Sequence, residues 1–288
     1  MILFHYLLYY FIIIPVSYLP FPILYGFSTA IYLFLYYITP YRKKIVLQNL
    51  RNSYPEKTEQ EIQTICKLFY KHLADVIVES IKVFTASQEV LLKRMKCVNP
   101  DLLDTYYDKG KSVILVTGHY ANWEWAAITV GSNRKHYALG IYQVIKNKFW
   151  DSKMQQTRCR YGTNLMSTRE VAQFFEKYKN KLSLYGFIAD QTPSNPEKCH
   201  WVPFLNQDTP VMFGAEKYAI EYNYPVLYGK ITKLRRGYYQ IEYVPICDEP
   251  IKTRKGEITE LHTRFNEQII NAAPQYWLWT HRRWKHKR

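Results

Sequence analysis

The chain has 288 residues, a length that suits one α/β domain plus an extension, and 48% of them are hydrophobic, which allows a full core. Its formal net charge of +15 favours polyanionic partners: anionic lipid head groups, phosphorylated sugars, acidic proteins or nucleic acid. The cysteines have no CxxC spacing, which argues against a disulfide framework or a zinc site and for reduced thiols in the cytoplasm. They are Cys66, Cys97, Cys159, Cys199 and Cys247.

The N-terminal segment is apolar and contains no Lys, Arg, Asp or Glu before Arg42. It lacks the basic start and small-residue cleavage site of a secretory signal, so we expect it to stay attached. Prolines divide it into two predicted helices, Met1–Leu19 and Pro22–Thr39, and the first would reach about 28 Å, close to the ~30 Å of a bilayer's hydrocarbon. The second either crosses the membrane, lies on its surface or packs on the domain.

The basic residues 42–44 follow this segment directly and place the remaining chain on the cytoplasmic side. The sequence thus predicts a membrane anchor or interfacial helices over residues 1–41 and a cytoplasmic domain over residues 42–288. Aromatic residues make up 17% of the chain, which suits contact with a membrane interface and is equally explained by a bias in residue usage.

Farther along, Thr58 and Glu61 form a capping-box pattern that opens a helix ending near residues 83–85. Strands then alternate with helices, which predicts an α/β fold with a mostly parallel central sheet flanked by helices. The predicted strands cover residues 112–117, 136–144, 164–167, 182–190, 224–233 and 238–244. The predicted helices cover residues 100–107, 121–130, 146–161, 169–178, 210–222 and 256–272, and a Pro-rich loop runs from 191 to Pro203.

The stretch GHYANWEW, residues 118–125, follows an apolar strand. Sites in parallel sheets lie beyond the carboxyl ends of the strands, which is where His119 stands. With Glu124 in the first turn of the next helix, its carboxylate is expected to accept a hydrogen bond from one imidazole nitrogen and leave the other as a base. Alternatively, Glu124 only favours the positive helix N-terminus and His119 fills a turn. Taken alone, the spacing favours that alternative.

Together with other segments, GHYANWEW resembles the H-x4-D block of glycerolipid acyltransferases, and its glutamate form is similar to the late lipid A acyltransferases of Gram-negative bacteria. The resemblance covers about residues 19–287. After Asp190-Gln191, where several members have an acidic residue or glycine, this chain has Thr192-Pro193. The other matching segments are YRKKIVLQNLRNSYPEKTEQE (41–61), VIKNKFWD (144–151), TRCRYGTNLM (157–166), IADQTPSNPEKCHWVPFLNQDTPV (188–211) and PQYWLWTHRRWK (274–285).

The resemblance implies a glycerolipid-acyltransferase-like fold at the inner membrane, with the catalytic domain on the cytoplasmic face and no cofactor or metal. It implies transfer of a fatty acyl chain from acyl carrier protein to a 3-hydroxyacyl group of a lipid A precursor, late in lipopolysaccharide biosynthesis. His119 would be the catalytic base and Glu124 its orienting partner. Substrate-binding roles are implied for Asn147, Lys148, Arg158, Arg160, Asp190, Gln191, Arg282 and Arg283.

Some alternatives remain open at this stage. Of Arg158 and Arg160, which point to different sides of a helix, we expect Arg158 to face the site. Cys159 between them has no evident base partner, so a structural role is expected. The rival functions are acyl transfer to another lipid, such as an ornithine lipid, aminolipid or phosphoglycolipid, and non-catalytic binding of anionic lipid or nucleic acid. A membrane anchor argues against nucleic acid. Trp123 and Trp125 either wall an acyl groove or pack the helix on the sheet.

Overall fold

The computed structural model describes residues 2–132 and 134–288. The strands are β1 Met95–Cys97, β2 Val113–Thr117, β3 Tyr137–Tyr142, β4 Thr163–Ser167, β5 Ser183–Ile188, β6 Cys199–Phe204, β7 Gln207–Met212, β8 Val226–Arg235 and β9 Tyr238–Cys247. The helices are α1 Ile2–Leu7, α2 Ile14–Tyr18, α3 Phe21–Leu33, α4 Lys43–Ser53, α5 Glu59–Lys82, α6 Gln88–Arg94, α7 Asp101–Asp108, α8 Trp123–Thr129, α9 Lys148–Arg158, α10 Val171–Tyr178, α11 Gly214–Tyr222 and α12 Glu257–Ala272.

Seven strands form the central sheet in the order β1-β9-β8-β2-β5-β3-β4. Every neighbouring pair is parallel except β8 and β9, which form an antiparallel hairpin. Helices cover both faces, so the predicted α/β fold with a mostly parallel sheet is confirmed. The carboxyl ends of the parallel strands therefore meet along one edge, where a site is expected.

The central strand β2, with sequence VILVT, is buried on both faces because alternate side chains enter separate cores. Val113 and Leu115 belong to a large core that includes residues of α5 and α8, whereas Ile114 and Val116 belong to a second core with residues of α11 and α12. This strand is the rigid support for the turn that follows it.

The structure corrects the predicted Pro-rich loop and the start of the helix after it. β6 and β7 form a two-stranded antiparallel hairpin, in which Pro203 lies opposite Asp208 and Pro210 opposite Trp201. Two strands with no third neighbour tolerate proline, because one side of each strand needs no hydrogen-bond donor. The helix predicted from residue 210 therefore begins only at Gly214, whereas the capping box of Thr58 and Glu61 is confirmed. α4, α6 and β1 were not predicted from the sequence.

The apolar N-terminal segment forms two helical rods with π-helical turns at Leu8–Ile13 and Phe34–Ile38. The predicted break falls at Leu19 and Pro20 between α2 and α3, and Met1 lies outside the described residues. Phe21–Ile38 is long and apolar enough to cross a membrane, and 22% of it is buried against the rest of the chain.

Two glycines bring the end of α8 and the start of β4 into backbone contact. A Cβ at Gly131 would lie 2.5 Å from the carbonyl carbon of Gly162, which itself has φ +92°. Gly131→Ala should therefore destabilise the protein by about 1–3 kcal/mol or more through overpacking. Gly26→Ala in α3 is the matched control, since no atom lies within 4 Å of its added methyl, and it should gain about 0.5–1 kcal/mol of helix stability. Thermal unfolding in detergent that shifts both variants equally would contradict this packing.

Candidate active site

Gly118 and His119 form the turn directly after β2. β2 pairs in parallel with β5, so the two strands end side by side and His119 meets Asp190 just beyond β5. Position 118 requires glycine, because a Cβ there would lie 2.7 Å from Asn266 Oδ1 and 3.0 Å from Asp190 Oδ2. The close approach of β2 and β5 thus determines which carboxylate reaches the histidine.

The buried carboxylate of Asp190 accepts three hydrogen bonds. His119 Nδ1 lies 2.6 Å from Oδ1, while the His119 main-chain N–H and Trp277 Nε1 donate to Oδ2 at 2.7 and 2.8 Å. Burial by itself would raise the pKa of Asp190, but the charge of His119 and these donors outweigh it and lower the pKa to about 2. Asp190 is therefore a stable anion that can hold the imidazole.

These contacts define the tautomer of His119. In the neutral imidazole, Nδ1 carries the proton that is donated to Asp190, and Nε2 is the nitrogen without a proton. The amide nitrogen of Gln191 lies 3.0 Å from it and donates to it. The His119 side chain is 16% exposed, so a substrate hydroxyl that displaces the Gln191 amide can reach Nε2. The arrangement has the geometry of a general base with an orienting carboxylate.

The expected hydrogen bond between Glu124 and His119 is wrong. The Glu124 carboxylate instead binds Arg158 in a two-pronged ion pair, with Nη2 at 2.8 and 2.9 Å from its oxygens and Nε at 3.2 Å. Asn122 caps α8, so Glu124 lies in the first turn and points towards α9, while Asp190 takes the imidazole nitrogen. Both side chains of the pair are 19% exposed.

The two arginines of the RCR stretch point in different directions, although α9 ends at Arg158 and Arg160 lies in the turn beyond it rather than on the predicted helix. Arg158 contacts the helix that follows the His119 turn, through Glu124. Arg160 donates instead to the carbonyl oxygens of Val83 and Phe84 just beyond α5, at 3.4 and 2.8 Å. Arg160 thereby fixes the end of a helix, which is a structural contact, and Arg158 is the arginine next to the candidate site.

Asn147 and Lys148 begin the helix that ends in Arg158. The Asn147 side chain caps α9 by accepting from the main-chain N–H groups of Phe149 and Trp150 at 3.1 and 3.3 Å. Lys148 is exposed at the first position of the helix. Asn147 therefore sets where α9 starts, and Lys148 offers a free cation beside it.

The two arginines of the closing THRRW stretch have opposite environments. Arg282 is exposed, whereas Arg283 is 1% exposed and donates to the Pro210 carbonyl at 2.8 Å. Burial lowers the pKa of Arg283 to about 10, and the negative charge of Asp190 acts in the opposite direction. Arg283 and Asp190 both line an internal cavity of about 10 Å³. The guanidinium of Arg283 is enclosed by protein, and its expected role in binding substrate stays a prediction.

Several residues at the turn were not foreseen. His72 Nε2 donates to the Ala121 carbonyl at 3.1 Å, and Asn122 donates to the buried Glu79 at 2.6 Å. Ala121 itself has φ +51°, a conformation that non-glycine residues rarely adopt. The available signal was that His72 and Glu79, seven residues apart, fall on the same apolar stripe of α5. Polar groups at such positions indicate a buried network.

The two tryptophans of GHYANWEW have different roles. Trp125 is fully buried and donates through Nε1 to the main-chain carbonyl of Glu79 at 3.0 Å, so it packs α8 on α5. Trp123 lies edge-on to His119 with ring centroids 5.4 Å apart. It also borders a small cleft whose other lining residues include Phe69, Leu73, Val76 and Leu278. Trp123 is therefore the tryptophan that faces the candidate site.

Trp277 provides a test of how Asp190 is kept ionised. The pKa of Asp190 in the folded protein is about 2, below the ordinary 3.8. The stability that its ionised carboxylate contributes is therefore fully present above about pH 4 and is lost as pH falls through about 2. That contribution amounts to about 2 kcal/mol. Trp277→Phe removes one donor and should shrink this pH-dependent part, whereas Trp279→Phe loses only a bond to the Pro274 carbonyl and should keep it. Urea unfolding of both variants between pH 5 and 2 measures this, and equal pH slopes would contradict it.

Comparison with known proteins identifies the family of this chain. The family model described as bacterial lipid A biosynthesis acyltransferase matches residues 2–286. A curated protein of Escherichia coli (strain K12), named lipid A biosynthesis lauroyltransferase, is 18% identical over 270 residues, which cover 93% of this chain and 87% of that protein. Because the family match spans nearly the whole chain, this protein belongs to the bacterial lipid A biosynthesis acyltransferases.

Proposed function

We propose that the enzyme transfers a fatty acyl group from acyl carrier protein to a 3-hydroxyacyl group of a lipid A precursor, at the cytoplasmic face of the inner membrane. The observation that carries this proposal is the His119–Asp190 pair at 2.6 Å, at the end of the central strand. Its outward nitrogen can take a proton from a hydroxyl, which is what acyl transfer to an alcohol requires.

In the proposed reaction, His119 Nε2 removes the proton of the acceptor hydroxyl while its oxygen attacks the thioester carbonyl carbon. A C–O bond forms, the tetrahedral intermediate collapses, and the C–S bond breaks. The imidazolium returns the proton to the departing thiolate. Asp190 holds the tautomer and stabilises the imidazolium, and the transfer is direct, without an acyl-enzyme.

Arg158 is the proposed anion-binding residue of the site. An ion pair with Glu124 holds its guanidinium in place. Glu124 lies in the first turn of α8, five residues after His119 in the chain. An arginine held in this way serves to bind a phosphate or stabilise a developing oxyanion. The role proposed for Glu124 is therefore to position Arg158 rather than the imidazole.

The exposed cations provide complementary charge for the proposed substrates. Lys148 and Arg282 are exposed, and the whole chain carries a formal charge of +15. An acidic carrier protein and a phosphorylated lipid are both attracted by such a surface. Trp123, edge-on to His119, is the proposed wall of the groove for the acyl chain, whose burial contributes about 0.8 kcal/mol per CH₂ group.

The base assignment predicts a large effect at two residues. His119→Ala should lower kcat by about 10²–10⁴-fold, because the proton acceptor is lost. Asp190→Asn should also lower kcat, because the amide cannot stabilise the imidazolium as an anion does. Acyl transfer is measured by incubating the purified protein with labelled acyl-acyl carrier protein and candidate acceptors. The control variant Cys159→Ala should retain acyl transfer. Transfer by His119→Ala would overturn the mechanism, loss with Cys159→Ala would overturn direct transfer, and turnover only with other lipids would reassign the acceptor.

The revised role of Glu124 predicts a specific pattern of coupling. Glu124→Gln and Arg158→Gln should be non-additive in kcat/KM by about 0.5–3 kcal/mol, because each removes the same ion pair. Asp190→Asn and Arg158→Gln, which do not share a contact, should be closer to additive. A double-mutant cycle with both pairs measures this. Coupling of Arg158 to Asp190 instead of to Glu124 would contradict the assignment.

A further inference from the structure

Helix α3 and its π-helical end carry one buried stripe on an otherwise exposed apolar rod. Leu24, Ser28, Tyr32 and Tyr36 recur every fourth residue and are all buried. Such spacing places the four side chains on one helix face. The stripe contains a serine and two tyrosines, so this face is not a purely lipid-like surface and needs protein partners.

Those partners lie on α5, which runs antiparallel beside the rod over its whole length. Residues later in the rod contact residues earlier in α5. The Tyr25 hydroxyl donates to Glu79 at 2.9 Å, and the Ser28 hydroxyl donates to Asp75 at 2.7 Å. The Lys71 ammonium lies 5.7 Å from the centre of the Tyr32 ring, and the ring centroids of Tyr36 and Tyr70 are 5.6 Å apart. Two of these contacts are hydrogen bonds to carboxylates. The candidate membrane span is therefore paired with a helix of the catalytic domain.

Helix α5 cannot follow the rod into hydrocarbon. Asp75 forms ion pairs with Lys233 at 3.4 Å and Arg236 at 2.6 Å, which both lie at the β8–β9 hairpin. Glu79 is fully buried and also accepts from the Tyr239 hydroxyl of β9 at 2.8 Å. These bonds connect α5 to the central sheet. Charged groups at the centre of a bilayer are costly, so a crossing would require breaking the pairs or drawing the sheet in as well.

The beginning of the rod is held at the same side of the domain. The Lys82 ammonium donates to the carbonyl oxygens of Ser17 and Leu19 at 2.9 and 3.1 Å, and the Thr85 hydroxyl donates to Ser17 at 2.7 Å. The junction of α2 and α3 is thus fixed at the C-terminal end of α5. In a crossing helix this junction would lie on the opposite side of the membrane, away from Lys82.

We propose that Phe21–Ile38 lies along the cytoplasmic surface of the membrane within one leaflet instead of crossing it, and that α1–α3 form a docking surface for an anionic bilayer. The inference rests on the proposed function, whose acceptor is a membrane lipid. Exposed apolar side chains cover the free faces: Leu3, Phe4, Tyr6, Leu7, Tyr10, Phe11, Ile12, Tyr18, Ile23, Phe27, Leu33, Phe34, Tyr37 and Ile38.

The partner of this surface is identified by the charge at its border. Arg42 and Lys44 are exposed just beyond the apolar rod, and the Lys43 ammonium lies 3.6 Å from the centre of the Tyr36 ring. An apolar face bordered by cations is the pattern of helices that lie in the interface of anionic membranes. A protein partner would need acidic groups along the same border and is an outcome that the test below would reveal.

Two hydrogen bonds to Glu79 connect the docking surface to the turn that carries His119. Tyr25 donates to one oxygen of Glu79, and Asn122 donates to the other at 2.6 Å. Trp125 donates to the Glu79 main chain. An in-plane α3 therefore presents the catalytic turn to the membrane at a fixed height, where the acceptor hydroxyl of a lipid lies.

Topology in sealed inner-membrane vesicles tests the inference. The full chain with Tyr18→Cys is labelled with a membrane-impermeant maleimide in inside-out and right-side-out vesicles, and modified residues are located by mass spectrometry. The native Cys159 is exposed on the catalytic domain and is the internal control. An in-plane α3 leaves residue 18 either labelled from the same face as residue 159 or, where the side chain is embedded in the leaflet, protected from both faces while residue 159 is labelled. Labelling of residue 18 from the face opposite to that of residue 159 would overturn the proposal.

Failure of this inference is distinguishable from failure of the proposed function, because labelling needs no turnover. Protein that fractionates with the soluble proteins rather than the vesicles would overturn the bilayer as partner and indicate a protein occupant. Loss of activity with unchanged labelling would contradict the proposed reaction at His119 and leave the inferred position of α3 intact. Matched labelling with active enzyme supports both.

Discussion

The structure of the candidate site depends on keeping the buried carboxylate of Asp190 ionised. A buried charge is costly unless several donors surround it. Here the donors come from the turn after β2 and from Trp277 near the C-terminus, so one side chain ties together stretches far apart in the chain. Removing one donor therefore affects the packing of the closing segment as well as the histidine. Arg283, enclosed on the cavity side of Asp190, adds a positive charge that further favours the anion.

Hydrogen bonds from two sides hold the turn that carries His119 in an unfavourable backbone conformation. A non-glycine residue at positive φ costs about 1–3 kcal/mol, and Ala121 at +51° sits in such a position. Its N–H donates to the Tyr276 carbonyl at 2.9 Å, and its carbonyl accepts from His72 at 3.1 Å. Because both main-chain groups are bonded to packed elements, the strain does not relax. The result is a histidine whose direction is decided before any substrate binds.

Local signals in the sequence were enough to place His119 but not its partner. Apolar runs and caps predicted a strand before residue 118 and a helix after it, because periodicity and capping act over a few neighbouring residues. The identity of the partner depends on which strands are neighbours, and β2 pairs with β5 some 71 positions away in the chain. Proximity in sequence favoured Glu124, yet the start of α8 directs that carboxylate to Arg158. The hairpin of β6 and β7 was missed because its prolines resemble those of a loop.

The closing stretch THRRWK shows why composition alone misassigns charge. Both arginines count equally towards +15, but only Arg282 faces solvent, while Arg283 is enclosed with its head group against the Pro210 carbonyl. The difference follows from the chain's path: the Arg283 N–H bonds to the His281 carbonyl in a tight turn, which directs neighbouring side chains to opposite sides. The Thr192 hydroxyl shares its one proton between the carbonyl oxygens of both arginines and binds the Asp190 loop to this turn. Thr192 thus fixes the turn in which Arg283 is enclosed beside Asp190.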